Sequence, residues 1–339
     1  MSAYRMRASA VCACLFALVC LGIADGIPTL YSYNIDPDRT TVSGVSSGGY
    51  MAVQMHVAYS SLIQGAGVFA GGPYHCAQDS LSVALTLCGN TKVGPTVSTL
   101  ETTTEKRSGV SIDDVKNLTD DKAYLFTGSK DTVVTSVVVE ALQDYYKYFG
   151  VDVNLEKYTG AEHCHPTDDK VNKNACSYLG SPYISDCSYD GAGKALQFIY
   201  NNELNDRNNG DLDGVLTVFN QSDFGDKSVG LNEYGYVYIP QTCANLEKCG
   251  VHVAFHGCEM NYDYIGSSYA EDSGYNKWAD TNNLIVLYPQ TVSTKGLSMY
   301  NPDACWDWWG YTTKEYDERT GPQMVAIYNM IQRLMGNYP

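Results

Sequence analysis

The stretch Thr41-Val42-Ser43-Gly44-Val45-Ser46-Ser47-Gly48-Gly49 decides how this chain is read. It sets Gly44-x-Ser46-x-Gly48 between a short β-like run and a helix-spaced apolar segment. A nucleophile elbow has this setting: a strand turns sharply into a helix, and the serine hydroxyl stands exposed at the helix start. Glycines flank it because side chains would clash there. The string alone is common, and an ordinary Gly/Ser turn would also produce it. With a strand before and a helix after, catalysis is the better reading. Ser46 is the nucleophile candidate, with Ser43 and Ser47 as alternatives.

A serine hydroxyl needs a base, and the base needs an orienting acid. In α/β hydrolases these follow in the order serine, acid, histidine. Lys122–Thr127 reads as a strand running into the turn Gly128-Ser129-Lys130-Asp131-Thr132-Val133. Asp131 thus sits at the carboxyl end of a strand, where such sites are built. An aspartate capping the following helix would look the same. After the next strand comes Thr159-Gly160-Ala161-Glu162-His163-Cys164-His165-Pro166-Thr167. His163 completes the order, His165 is the alternative, and His252, within a strand pattern, reads as structural.

Strands are expected at Arg39–Ser43, Ala66–Ala70, Ala123–Thr127, Val151–Tyr158, Val215–Asn220, Gly235–Pro240, Val251–Phe255 and Leu284–Tyr288. Helices are expected at Gly48–Leu62, Val133–Phe149, Gly191–Tyr200, Tyr275–Asn282 and Pro322–Met335. This alternation indicates an α/β fold with a mostly parallel central sheet flanked by helices. An ordinary α/β hydrolase carries its oxyanion turn, a His-Gly after a strand, ahead of the nucleophile. Here His256-Gly257-Cys258 follows Val251–Phe255, more than two hundred residues downstream of Ser46. The element order is complete but cyclically shifted.

The chain has 339 residues, with 38 acidic against 22 basic side chains and a net charge of −16. That balance excludes a nucleic-acid binder, which needs basic patches. Arg5 and Arg7, then the uncharged apolar run Ala8–Ile23 and Ala24, have the layout of a secretory signal peptide over residues 1–24. The run is short for a membrane anchor, and no later stretch would cross a bilayer. Removing those 24 residues, two of them arginine and none acidic, leaves residues 25–339 with a net charge of −18. With no repeat or linker visible, they are expected to form one catalytic domain, monomeric and outside the cell. Nine cysteines remain, mostly disulfide-bonded in an oxidising compartment; the odd count requires at least one thiol to stay free or to pair with another molecule. No zinc-type spacing occurs, and neither a metal nor any other cofactor is expected. Asn117-Leu118-Thr119 and Asn220-Gln221-Ser222 are sequons.

Beyond the elbow, the chain carries Tyr50-Met51-Ala52 directly after it, Ala70-Gly71-Gly72-Pro73-Tyr74-His75-Cys76, Ser273-Gly274-Tyr275-Asn276-Lys277-Trp278-Ala279-Asp280 and Cys305-Trp306-Asp307-Trp308-Trp309-Gly310-Tyr311. With His256-Gly257-Cys258, these motifs resemble the extracellular poly(3-hydroxybutyrate) depolymerases, in particular the single-domain fungal type. The resemblance implies a circularly permuted α/β-hydrolase fold and runs from about Thr40 to the last helix. It implies Ser46 as nucleophile, Asp131 as acid and His163 as base, with the backbone amides of Ser47 and Cys258 as oxyanion donors. It also suggests disulfides Cys76–Cys88, Cys176–Cys187, Cys243–Cys249 and Cys258–Cys305, leaving Cys164 free. Where the family often has glycine before the histidine, this chain has Glu162, which could act on the imidazole or point to solvent.

The function expected is a secreted serine esterase acting on poly(3-hydroxybutyrate) or its oligomers through an acyl-enzyme. Trp306, Trp308, Trp309 and Tyr311 are candidates for contact with the polyester, although core packing would suit at least one of the tryptophans. Alternatives are a feruloyl or acetyl-xylan type esterase, or a catalytically silent secreted binding protein of the same fold.

Overall fold

A computed structural model of the protein describes residues 27–170, 173–296 and 299–339. The expected signal peptide, residues 1–24, lies outside them. The eight expected strands are all present: β1 (Ile35–Val45), β2 (Gly65–Phe69), β3 (Lys122–Gly128), β4 (Asp152–Tyr158), β5 (Val215–Asn220), β6 (Tyr234–Ile239), β7 (Cys249–Phe255) and β8 (Leu284–Tyr288). They form one sheet in the order β4-β3-β2-β1-β7-β8-β6-β5. From β4 through β8 every neighbouring pair is parallel; β6 runs antiparallel to both β8 and β5.

The helices are α1 (Ser47–Ala58), α2 (Leu81–Leu87), α3 (Val97–Arg107), α4 (Ser136–Tyr148), α5 (Gly191–Ile199), α6 (Tyr275–Asn282) and α7 (Pro322–Leu334), besides shorter turns. A small second sheet pairs His165–Thr167, Ile184–Asp186 and Asn174–Ala175. Alternate strand residues feed two cores. Val42, Val68, Leu125, Val253 and Leu287 pack with α1, α4 and α7 on one face. Val45, Phe69, Phe126, Ala254 and Tyr288 pack with α5 and α6 on the other. Central strands covered on both faces read as continuous apolar runs, which is why β7, β8 and β2 were visible in the sequence. All twelve residues of α1 are buried, so it has little amphipathic signature.

Two expected helices start or stop differently. The Val133–Phe149 helix begins only at Ser136, because the amides of Val133 and Val134 are taken up by Asp131. The Gly48–Leu62 helix ends at Ala58, where Tyr59 leaves helical geometry.

The cyclic shift is visible where the chain ends meet. Tyr33 N donates to Leu334 O at 2.8 Å, placing the end of α7 at the entrance to β1. Read from the β5–β6 hairpin through β7, β8 and α7 and on into β1–β4, the elements follow the order of an α/β hydrolase. The protein is a circularly permuted member of that fold.

Candidate active site

From β1 the chain moves on to β2, β3 and β4, whereas from β7 it moves on to β8 on the opposite side. The β1/β7 boundary is therefore the topological switch point of the sheet, and ligands of open α/β sheets bind outside the strand ends there. Ser46 follows β1, and His256-Gly257-Cys258 follows β7.

Ser46 has φ 58° and ψ −125°, a costly conformation for a residue with a Cβ. It is held by Ser46 N donating to Phe69 O (2.9 Å) and Tyr50 N donating to Ser46 O (3.1 Å). The glycines are required by close approach. A Cβ on Gly44 would lie 2.2 Å from Gly48 O, and one on Gly48 would lie 2.3 Å from Phe255 O. Between Thr41 and Ala58 only Ser46 escapes full burial. The other two serines are engaged elsewhere. Ser43 bonds His252 and Tyr275 beneath the sheet, and Ser47 Oγ accepts from Trp306 N.

Asp131 and His163 come together from the ends of β3 and β4. His163 Nδ1 donates to Asp131 Oδ2 at 2.9 Å, and both side chains are buried. The other oxygen of Asp131 accepts from Val133 N and Val134 N, both at 2.8 Å. The carboxylate is thus a cap and a histidine partner at once, so the two readings of Asp131 do not compete. Glu162 neither reaches the imidazole nor points to solvent. Its Oε1 accepts from Thr132 N (2.7 Å), Thr132 Oγ1 (3.0 Å) and His163 N (3.1 Å), binding the Asp131 loop to the His163 loop. Nothing in the spacing of the sequence announced that role.

His165 faces away, bonded through Nε2 to Ser273 O at 2.8 Å, and burial pushes its pKa down to about 4. His252 lies under the sheet between Thr41 and Ser43. Ser46 and His163 line one cavity, and no hydrogen bond joins them in this structure.

The His-Gly turn is shaped by its own imidazole. Thr291 N donates to His256 Nε2 (3.3 Å), which leaves the proton on Nδ1, and Nδ1 donates to Gly257 O (2.7 Å). In a trans peptide the carbonyl and the following N–H point in opposite directions. Holding Gly257 O therefore turns the N–H of Cys258 the other way, and Cys258 lines both cavities that Ser46 lines. A Cβ on Gly257 would lie 3.3 Å from Ser46 Cβ.

Ser46 and Cys258 stand between two lobes of one cleft. The larger, about 540 Å³, is walled by Tyr50, Leu81, Leu85, Val134, Trp308 and Trp309. The smaller, about 250 Å³, contains His163, Leu179, Tyr183, Glu259 and Met260. Of the four aromatic candidates only Trp308 and Trp309 reach the cleft, Trp308 stacked on Tyr50 at 4.4 Å. Trp306 and Tyr311 are corrected to packing residues. Trp306 is 0% exposed against Phe255 and His256, and the buried Tyr311 donates its hydroxyl to Cys305 O. Leu81 and Leu85 went unnoticed in the sequence, yet they are 46% and 62% exposed on α2 at the rim.

Disulfides join Cys76–Cys88, Cys176–Cys187, Cys243–Cys249 and Cys258–Cys305. The last ties the His-Gly turn to the tryptophan segment. Cys164 is free and buried, its thiol pushed up to about 12 by burial, so it is no nucleophile at neutral pH. Among the described residues no group of three or more His, Cys, Asp or Glu is placed to hold a metal ion.

The chain is 42% identical over 335 residues to a polyhydroxybutyrate depolymerase of Talaromyces funiculosus, covering 95% of this chain and 97% of that protein. It is 44% identical over 340 residues to a poly(3-hydroxybutyrate) depolymerase of Delftia acidovorans, covering 98% of this chain and 67% of that protein. The crystal structure of PHB depolymerase from Penicillium funiculosum superposes with a TM-score of 0.85 at 42% identity, over 92% of this chain and 100% of that one. A variant PHB depolymerase complexed with an R3HB trimer gives 0.86 at 41% identity, with the same coverage. No model of a known protein family matches the chain.

Proposed function

The chain belongs to the poly(3-hydroxybutyrate) depolymerases, a family of serine ester hydrolases, and from that premise we propose that Ser46, His163 and Asp131 carry its chemistry. The observation that supports this most is the Asp131–His163 hydrogen bond, set in one cleft with the strained, accessible Ser46.

In this reading His163 Nε2 takes the proton from Ser46 Oγ as the oxygen attacks an ester carbonyl. Asp131 keeps the other ring proton on Nδ1 and stabilises the imidazolium. The amides of Ser47 and Cys258 hold the oxyanion, each worth about 10²–10³ in rate in comparable sites. The leaving alkoxide takes the proton from His163. Water, deprotonated by the same ring, then releases the acid from the acyl-enzyme.

The substrate proposed is poly(3-hydroxybutyrate) or its oligomers, and the R3HB trimer bound by a structural relative supports that choice. The apolar larger lobe suits a chain of methyl-bearing ester units. The four disulfides support secretion, and the proposal takes residues 25–339 as one monomeric domain after loss of the leader. The test incubates the purified protein and its Ser46→Ala, His163→Ala and His165→Ala variants with polymer film and with a soluble aryl ester. The first two variants should lose hydrolysis of both; loss in His165→Ala with retention in His163→Ala would reassign the base.

A further inference from the structure

The smaller lobe of the cleft differs from the larger in charge as well as size. Glu259 projects into it from the turn after β7, and the exposed Asp303 lines both lobes from the loop ahead of Cys305. The two are fixed to one another. Glu259 N donates to Asp303 O at 2.7 Å, and the Cys258–Cys305 disulfide joins the residues beside them. Tyr183 donates its hydroxyl to Glu259 Oε2 at 2.6 Å, and burial pushes this phenol up to about 12, so it stays a neutral donor. Among the described residues lining either lobe there is no lysine or arginine.

Which end of a substrate meets these carboxylates follows from the proposed chemistry, on which this inference rests. His163 must hand its proton to the leaving alkoxide, and His163 lines only the smaller lobe. The leaving alcohol therefore sits there, and the acyl part lies in the larger apolar lobe. In a polyester of hydroxy acids, the acyl part of any cleaved bond extends toward the hydroxyl end. The leaving alcohol extends toward the carboxyl end. When the last ester is cut, the leaving unit brings its own free carboxylate into the smaller lobe.

We infer that Glu259 and Asp303 make the leaving-group lobe reject a free carboxylate, so that the enzyme selects ester bonds remote from the acid end of the chain. Neutral units of the polymer interior enter the lobe without opposition. A terminal hydroxy acid meets two like charges with no lysine or arginine among the described lining residues to offset them. Like charges about 8 Å apart near a protein surface repel enough to cost about tenfold to a hundredfold in rate. Each cut also leaves a new carboxylate on the acyl product, so fragments become poorer substrates as they shorten.

The test compares the dimer of 3-hydroxybutyrate as free acid with the same dimer as its methyl ester, following cleavage of the internal ester by chromatography. The wild type should show kcat/KM about tenfold or more higher for the methyl ester at low ionic strength. About 1 M salt should narrow that ratio, because screening acts on exposed charges. Glu259→Gln and Asp303→Asn should narrow it at low salt. Equal kcat/KM for the two dimers in the wild type would overturn the inference, as would a ratio that neither salt nor either variant moves. If the methyl ester itself were not cleaved, the reading of the reaction would fall and this inference with it; if both dimers were cleaved equally, only the inference would fall.

Discussion

His163 Nδ1 lies 2.9 Å from Asp131 Oδ2, while the second oxygen of Asp131 holds two backbone amides. One carboxylate thereby fixes both the ring and the loop that carries it. Asp131→Asn keeps an amide-accepting oxygen, so the loop should persist while the imidazole loses its tautomer control. Turnover of a soluble ester should fall by about 10⁴, as in comparable triads, with the melting temperature little changed. A loss under tenfold would remove Asp131 from the mechanism.

Glu162 acts through the backbone rather than the imidazole. Glu162→Ala strands the buried amide of His163 and leaves that of Thr132 to solvent, and an unpaired buried donor costs about 1–3 kcal/mol. A lower melting temperature is expected, together with a fall in kcat as the two loops drift. Glu162→Gln, which restores an accepting oxygen, should recover most of both. The acid limb of the pH–rate profile should stay in place in either variant; a displaced limb would mean that the carboxylate acts on the ring after all.

The Cys258–Cys305 bridge closes a loop over a sequence separation of 47, which corresponds to about 4 kcal/mol of chain entropy. Replacing both cysteines by alanine should destabilise the fold by up to this amount. It should also lower kcat more than it raises KM, because the Cys258 amide is a proposed transition-state donor. Urea unfolding and steady-state kinetics on a soluble ester would measure the two effects, and an unchanged kcat would detach the bridge from catalysis.

Three imidazoles are kept neutral by burial: His165 and His256 with pKa values of about 4, His252 of about 3. Unfolded, each would titrate near 6.5. Above that pH neither state is protonated, and their contribution to stability is intact. As the pH falls toward 4 the unfolded chain gains protons that the folded one refuses, and stability drops by on the order of several kcal/mol. Melting temperatures should be level near pH 7 and decline from about 6.5 to 4.5. A level curve through that window would count against neutral burial.

What could be read in the sequence was local or patterned. The elbow announced itself because steric demands at Gly44 and Gly48 leave glycine as the fitting residue, and the doubly covered strands because both faces are apolar. The cyclic order followed from locating one dipeptide, His256-Gly257. The cleft walls were harder to see. Leu81 and Leu85 lie on one side of α2, but that side faces outward, reversing the rule by which apolar stripes are assigned to a core. Trp306 and Trp308 belong to a segment without regular secondary structure, so no period told the buried indole from the one lining the cleft. Glu162 exerts its effect through a contact thirty residues back, with no pattern to mark it.

The permuted order also has a consequence in time. The nucleophile strand is made first and sits at the centre of the sheet, yet its partner β7, pairing Thr40 with Val251, is made some two hundred residues later. Until then β1 has one edge unpaired, and Ser46 has no His-Gly turn beside it. Contacts of such separation form slowly because a long loop must close first. On the proposed chemistry, a chain interrupted anywhere before the His-Gly turn lacks one oxyanion donor and the strand that pairs with β1, and it is expected to hydrolyse no ester.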